Sequence, residues 1–183
     1  MSQKFKDLYN LVLTKKAIRF HHAETDQEYT IVCDTVAKLK ATLHMLEGGT
    51  LKIEDTYLDI TNHDKINYIK KIWGDSEDLV IMYNYKAEKI KLERVFKNAK
   101  ILQASAYAEG VDLSMYKHLV IYSQDFKTSK HIQRRARQAN KYRVDDIIVH
   151  YLLVKGCVSH QIYKTCKHNK VNYSDKLFER TKI

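Results

Sequence analysis

A chain of 183 residues is long enough for one domain with an appendage, and 44% hydrophobic residues support a packed core. The formal charge of +10 favours a polyanionic partner: nucleic acid, nucleotide or an anionic membrane surface. Three irregularly spaced cysteines (Cys33, Cys157, Cys166) argue against a disulfide framework, no apolar run is long enough to span a bilayer, and the polar start from Met1 to Lys6 is not a secretory leader.

The first 34 residues are mixed. Phe5, Leu8, Val12 and Leu13 can line one side of a short helix, and residues 29–33 read as a strand. Asp34 or Thr35 can cap a helix with Val36, Leu39, Leu43 and Leu46 at helical spacing, and Gly48-Gly49 ends it. Leu51, Ile53, Leu58 and Ile60 belong to an extended or hairpin-like segment. Thr61 or Asn62 then starts a second helix with Ile66, Ile69 and Ile72 on one stripe, closed by Gly74.

The continuous apolar run after Asp78, ending at Tyr83, has the length and composition of a buried parallel strand. Asn84-Tyr85 make a turn. A helix is expected over 86–98, with Ala87, Ile90, Val95 and Phe96 inward. Short strands follow at 100–104 and 118–122, then a basic helix over 129–139. The spacing predicts the longest strand at 146–154 and a last helix at 158–168. Strands alternating with helices over 78–168 give an α/β domain with a mainly parallel sheet. Ligands of such a sheet sit beyond the carboxyl ends of its strands. The turns at Asn84, at 104–112 and at 123–128 therefore lie on the expected functional edge.

Three stretches carry chemistry. Lys130, Arg134 and Arg137 share one face of the basic helix, and guanidinium forks suit phosphate; a solvated surface helix is the plainer reading. Ser105 offers a hydroxyl to an anion, Gly110 permits a tight turn, and Asp112 can accept hydrogen bonds from a ribose. Cys157, His160, Cys166 and His168 resemble a zinc set in composition, but a helix between them would put Cys166 and His160 on different faces, so no metal is expected. Asp145-Asp146 read as the turn before a strand.

In order, these stretches resemble the second RecA-like lobe of superfamily two helicases and Swi/Snf-type translocases, phage-type members included. The segment 79–86 looks like motif IV, 104–113 like motif V, and Gln133-Arg134-Arg135-Ala136-Arg137 like the opening of motif VI. Residues 147–153, Gly156-Cys157-Val158 and Ile162-Tyr163 match the closing strand and helix of the translocase branch. Val36 to Gly49 resembles the helix that begins the lobe. The likeness covers about residues 36–168. It implies a RecA-like lobe over 36–183, preceded by an extension or inter-lobe linker at 1–35.

The resemblance also implies roles. Arg137 would be an arginine finger and Gln133 its positioning partner. Gly110, Asp112 and Asn140 would face the nucleotide. Ser105, Tyr83, Asn84, Lys86, Lys130 and Arg134 would contact nucleic acid. Three departures stand against the family pattern: Asn140 replaces its second motif VI arginine, a strand–helix unit before motif V is missing, and no phosphate-binding loop or metal-holding acidic box occurs.

The implied function is the C-terminal lobe of an ATP-dependent DNA helicase or translocase, half of an enzyme and inactive as an ATPase alone. ATP and magnesium would be bound only together with a partner lobe, supplied in cis or in trans. DNA or RNA would be the other partner, with no membrane involved, in a bacterial or phage-infected cytoplasm. The alternative is a non-catalytic nucleic-acid-binding or helicase-regulating module of the same fold.

Overall fold

The computed structural model describes residues 2–22, 26–53, 56–60, 62–104, 113, 115–129 and 147–181. Four parallel strands form the central sheet in the order β6-β5-β7-β8: β5 (Leu79–Tyr83), β6 (Lys100–Gln103), β7 (His118–Ile121) and β8 (Ile148–Tyr151). All five residues of β5 are buried, which is why that stretch is apolar without alternation. Helices α3 (Asp64–Trp73) and α4 (Lys86–Val95) cover one face, where Ile66, Ile69 and Leu92 meet Leu79, Ile81 and Val120. On the other face Val80, Met82, Leu119 and Ile121 gather with Leu113. The fold is α/β, with a parallel sheet flanked by helices.

A second cluster joins the two ends of the described chain. Helix α1 (Gln3–Lys15), the antiparallel hairpin β1 (Ala17–His22) and β2 (Gln27–Val32), and α2 (Val36–Glu47) pack with α5 (Val158–Ile162) and α6 (Asp175–Arg180). Its centre is Val12, Leu39, Leu43, Leu46 and Ile162. The hydroxyl of Tyr9 accepts a hydrogen bond from the Val158 N–H at 3.1 Å. Thr35, not Asp34, caps α2, accepting from the Lys38 N–H at 3.2 Å. The hairpin β3 (Thr50–Ile53) and β4 (Thr56–Asp59) then leads into α3.

Several expectations need correction. The strand expected over 146–154 is only Ile148–Tyr151 and is shorter than either strand of the first hairpin. Its partner β7 has four residues, so the ladder ends where the Leu152 N–H meets the Ile121 carbonyl at 3.1 Å. The helix after Gly156 is α-helical only to Ile162 and continues as a π-helix over Tyr163–His168; the Asn169 N–H reaches the Lys164 carbonyl, five residues back. Helix α4 stops at Val95 rather than at residue 98. Ile72 and Ile90, expected inward, are about half exposed, while Glu88 and Lys91 are buried. Strand β1 and helix α6 were not expected. No helix among the described residues is long and apolar enough to cross a membrane.

Candidate functional edge of the parallel sheet

Because the four strands are parallel, their carboxyl ends share one edge. There the chain leaves β5 at Asn84, β6 at Ala104 and β7 at Tyr122-Ser123. Ala104 and Tyr122 extend the ladder, donating to the Tyr83 and Met82 carbonyls at 2.8 Å each. This is the edge named from the sequence, and a buried polar network sets its shape.

Glu88, in the first turn of α4, is fully buried. Its Oε2 accepts from the Asn84 N–H at 3.1 Å, the Tyr85 N–H at 3.0 Å and the Ser123 hydroxyl at 2.5 Å. One carboxyl thus ties the turn after β5 to the turn after β7. Burial pushes its pKa up, against the bonds from Ser123 and the Tyr85 backbone. A Cβ on Gly48 would lie 2.4 Å from Glu88 Oε1, so only glycine lets the end of α2 rest there. The Tyr122 hydroxyl donates to the Gly48 carbonyl, and Lys65 Nζ donates to the Tyr122 carbonyl, both at 2.7 Å. Burial lowers the Lys65 pKa, opposed by Glu47 and Glu88.

His44 joins the same network. Its Nδ1 lies 3.0 Å from the Tyr85 hydroxyl, and its ring packs between Tyr85 and Phe126, each centroid 5.5 Å away. Burial, with Lys65 near, holds His44 well below the usual histidine range, so the ring is neutral.

The segment after β7, residues 124–128, is anchored along its length. Gln124 Nε2 donates to the Ser159 carbonyl at 3.3 Å. The Phe126 carbonyl accepts from the Tyr173 N–H at 2.9 Å and from the Cys166 thiol at 3.3 Å. The Thr128 N–H donates to Asn172 Oδ1 at 2.8 Å. Residues 128 and 129 are helical, and the stretch expected as the basic helix lies outside the described residues beyond them. Beside the edge lies a cleft of about 670 Å³, lined in part by Lys6, Glu47, Lys65 and Lys155.

Of the residues expected to function, Asn84 lies half-buried in the turn after β5 and Lys86 is the exposed first residue of α4. Tyr83 is different. Its ring belongs to the core with 5% exposure, so it supports the turn from beneath. Ser105, Gly110, Asp112, Lys130, Gln133, Arg134, Arg137 and Asn140 lie outside the described residues. Among the described residues no three histidine, cysteine or acidic side chains are grouped to hold a metal. Sequence reasoning missed Glu88, Ser123, Lys65 and His44. The one available signal was a charged residue at an inward position of an amphipathic helix.

No protein-family model matches the chain, and no curated protein matches it. Among solved structures, the C-terminal part of the Fun30 ATPase domain matches with a TM-score of 0.55 at 14% identity. The match covers 72% of this chain and 54% of that one, so the chain spans about half the length of that structure. At this identity the likeness shows the fold alone: that of a helicase-like C-terminal lobe.

Proposed function

We propose that the chain is the second RecA-like lobe, of phage type, of an ATP-driven nucleic-acid motor related to Swi/Snf translocases. The observation that supports this reading is that β5, β6 and β7 end at one edge of one parallel sheet, in the chain order in which the stretches resembling motifs IV, V and VI follow them in the sequence. The likeness to the Fun30 C-terminal part supports the same fold.

In this reading Arg137 reaches across a cleft to the γ-phosphate of ATP held on a partner lobe, where it stabilises the charge of the transition state. Gln133 positions it. Gly110, Asp112 and Asn140 face the nucleotide. Ser105, Lys130 and Arg134 join Asn84 and Lys86 on the nucleic-acid backbone, with Tyr83 beneath them. Such phosphate contacts bind without reading sequence.

The sequence holds no phosphate-binding loop, and the start of α4 offers no substitute for one. The N–H groups of Asn84 and Tyr85, at the start of α4, already donate to Glu88. A phosphate at that helix end would need those donors open. In this reading ATP and magnesium are bound only together with a partner lobe, and the chain alone is inactive as an ATPase.

The test is reconstitution. Mixed or fused with a phosphate-binding RecA-like lobe, the chain should give ATPase activity stimulated by DNA. Arg137→Ala should lower that activity by roughly 10³-fold or more, the scale of an arginine finger. Undiminished activity in the variant would remove Arg137 from the role. DNA binding without activity in any pairing would favour a regulatory module.

A further inference from the structure

A second cleft runs along the side of β8 and adjoins the first, sharing Tyr68, Tyr151, Leu152 and Leu153 with it. It is lined by Tyr68, Trp73, His150, Tyr151, Tyr163 and Lys167, among others, and its volume is about 360 Å³. This is within the range of about 300–1,000 Å³ usual for ligand clefts. Tyr68 is 52% exposed. Trp73 is braced from behind: its ring lies 4.6 Å from that of His150 and 6.2 Å from that of His118, and the two histidines approach each other at 3.3 Å. Across the cleft Tyr151 and Tyr163 meet edge to face at 4.9 Å.

Lys167 completes this wall. Its Nζ sits 4.5 Å over the Tyr151 ring and 4.7 Å over the Tyr163 ring, and donates to the Tyr163 hydroxyl at 2.9 Å. An ammonium has three donors, so two remain after that bond. Lys167 stands on the π-helical turn, a backbone irregularity frequent at functional sites. From Lys155 to Ser174 the sequence holds four lysines (Lys155, Lys164, Lys167 and Lys170) and neither aspartate nor glutamate. Lys164 and Lys170 are exposed three positions to either side of Lys167 in the sequence, and the described ion pairs leave all three aside.

We propose that this cleft is a base-stacking site for single-stranded nucleic acid, built from residues other than those of the turns after β5, β6 and β7. Unpaired bases stack on Tyr68, Trp73 and Tyr163, while Lys167, Lys164 and Lys170 take the phosphates. Aromatic faces tolerate any base, and lysines beside them follow the backbone. Duplex fits poorly, because its bases are already stacked on one another. Only the class of occupant rests on the nucleic-acid reading above; the cleft, its rings and its lysines do not.

Trp73 is the one tryptophan of the chain, so its emission reports on this cleft alone. The full chain is titrated with fluorescein-labelled oligothymidylate, with an abasic oligomer of equal length and with a duplex. Anisotropy follows all binding and Trp73 emission follows the cleft. Oligothymidylate should quench Trp73, while the abasic oligomer and the duplex should bind without quenching. Tyr163→Ala and Lys167→Ala should weaken oligothymidylate binding at least about fivefold and reduce the quench. Tyr163→Phe should keep both, which separates stacking from misfolding. Lys89→Ala, an exposed lysine of α4 with no role in either site, should leave the saturating quench unchanged. Binding of oligothymidylate by anisotropy with unchanged Trp73 emission overturns the cleft and leaves the proposed function standing. Absence of binding to every oligomer overturns both.

Discussion

Gly49 has φ +72°, and a Cβ there would lie 2.0 Å from the Asn62 carbonyl oxygen and 2.3 Å from Lys91 Nζ. Backbone strain and collision act together, so Gly49→Ala should cost at least about 2 kcal/mol, read as a lower urea midpoint at unchanged slope. Glu47 makes a different prediction. Burial pushes its carboxyl from 4.5 up to about 7, opposed by Lys65 and by the Ser159 side chain and backbone. The folded state therefore holds this proton more tightly than the unfolded chain. Its contribution to stability is full below pH 4.5 and is lost as pH rises through about 7. The loss is on the order of 3 kcal/mol. Urea unfolding of the wild type should weaken over that window relative to Glu47→Gln, which cannot titrate there; parallel curves for the two would contradict the assignment. Neither Gly49's neighbours nor the Glu47 bond was legible in the sequence. A glycine pair announces a helix end, but what presses against it comes from residues 13 and 42 positions downstream.

Lys91 shows why periodicity located the elements yet misjudged some faces. Its Nζ donates to the carbonyls of Gly49, Ile60 and Asn62 at 2.9, 3.2 and 2.9 Å and pairs with Asp59 at 2.8 Å. One lysine thus binds α4 to the end of α2 and to the second hairpin. Counting apolar residues turned α4 toward Ile90, whereas its buried side runs through Ala87, Glu88, Lys91 and Leu92 because two charged residues find partners inside. Lys91→Ala should cost roughly 3 kcal/mol, since it removes a bond from each of three carbonyls and leaves Asp59 only its longer, exposed pairing with Arg94 at 3.6 Å. At about 2–4 °C per kcal/mol, the melting temperature should fall by roughly 6–12 °C. Lys89→Ala, whose exposed pairing with Glu93 is 3.7 Å long, should change it little. Strands β5 and β7 were legible because full burial demands an unbroken apolar run. Strand β1 and helix α6 were not, being short and largely exposed, with one or two anchors each: Ile18 in one, Phe178 in the other.

For the whole molecule the charge of +10 becomes a measurable slope. A handful of phosphate contacts should make the logarithm of DNA affinity fall by several units per decade of salt, and Lys86→Ala should reduce that slope by about one. An unchanged slope would take Lys86 off the backbone. The α/β class and the order of the parallel strands' turns were readable because they depend on local runs and their sequence. The buried ties from Glu88 to Ser123 and from Lys65 to Tyr122 were not, because they join residues 35 and 57 positions apart.

The core that unites both ends of the described chain also sets a schedule during synthesis. Phe5, Tyr9 and Val12 are buried against partners that include Val158, Ile162 and Phe178, and the Tyr9–Val158 bond spans 149 positions. At about 5–20 residues per second, the ribosome needs on the order of ten seconds after making α1 to deliver those partners. Throughout that interval the apolar stripe of α1 lacks them, and a chaperone or a protease has its first opportunity there.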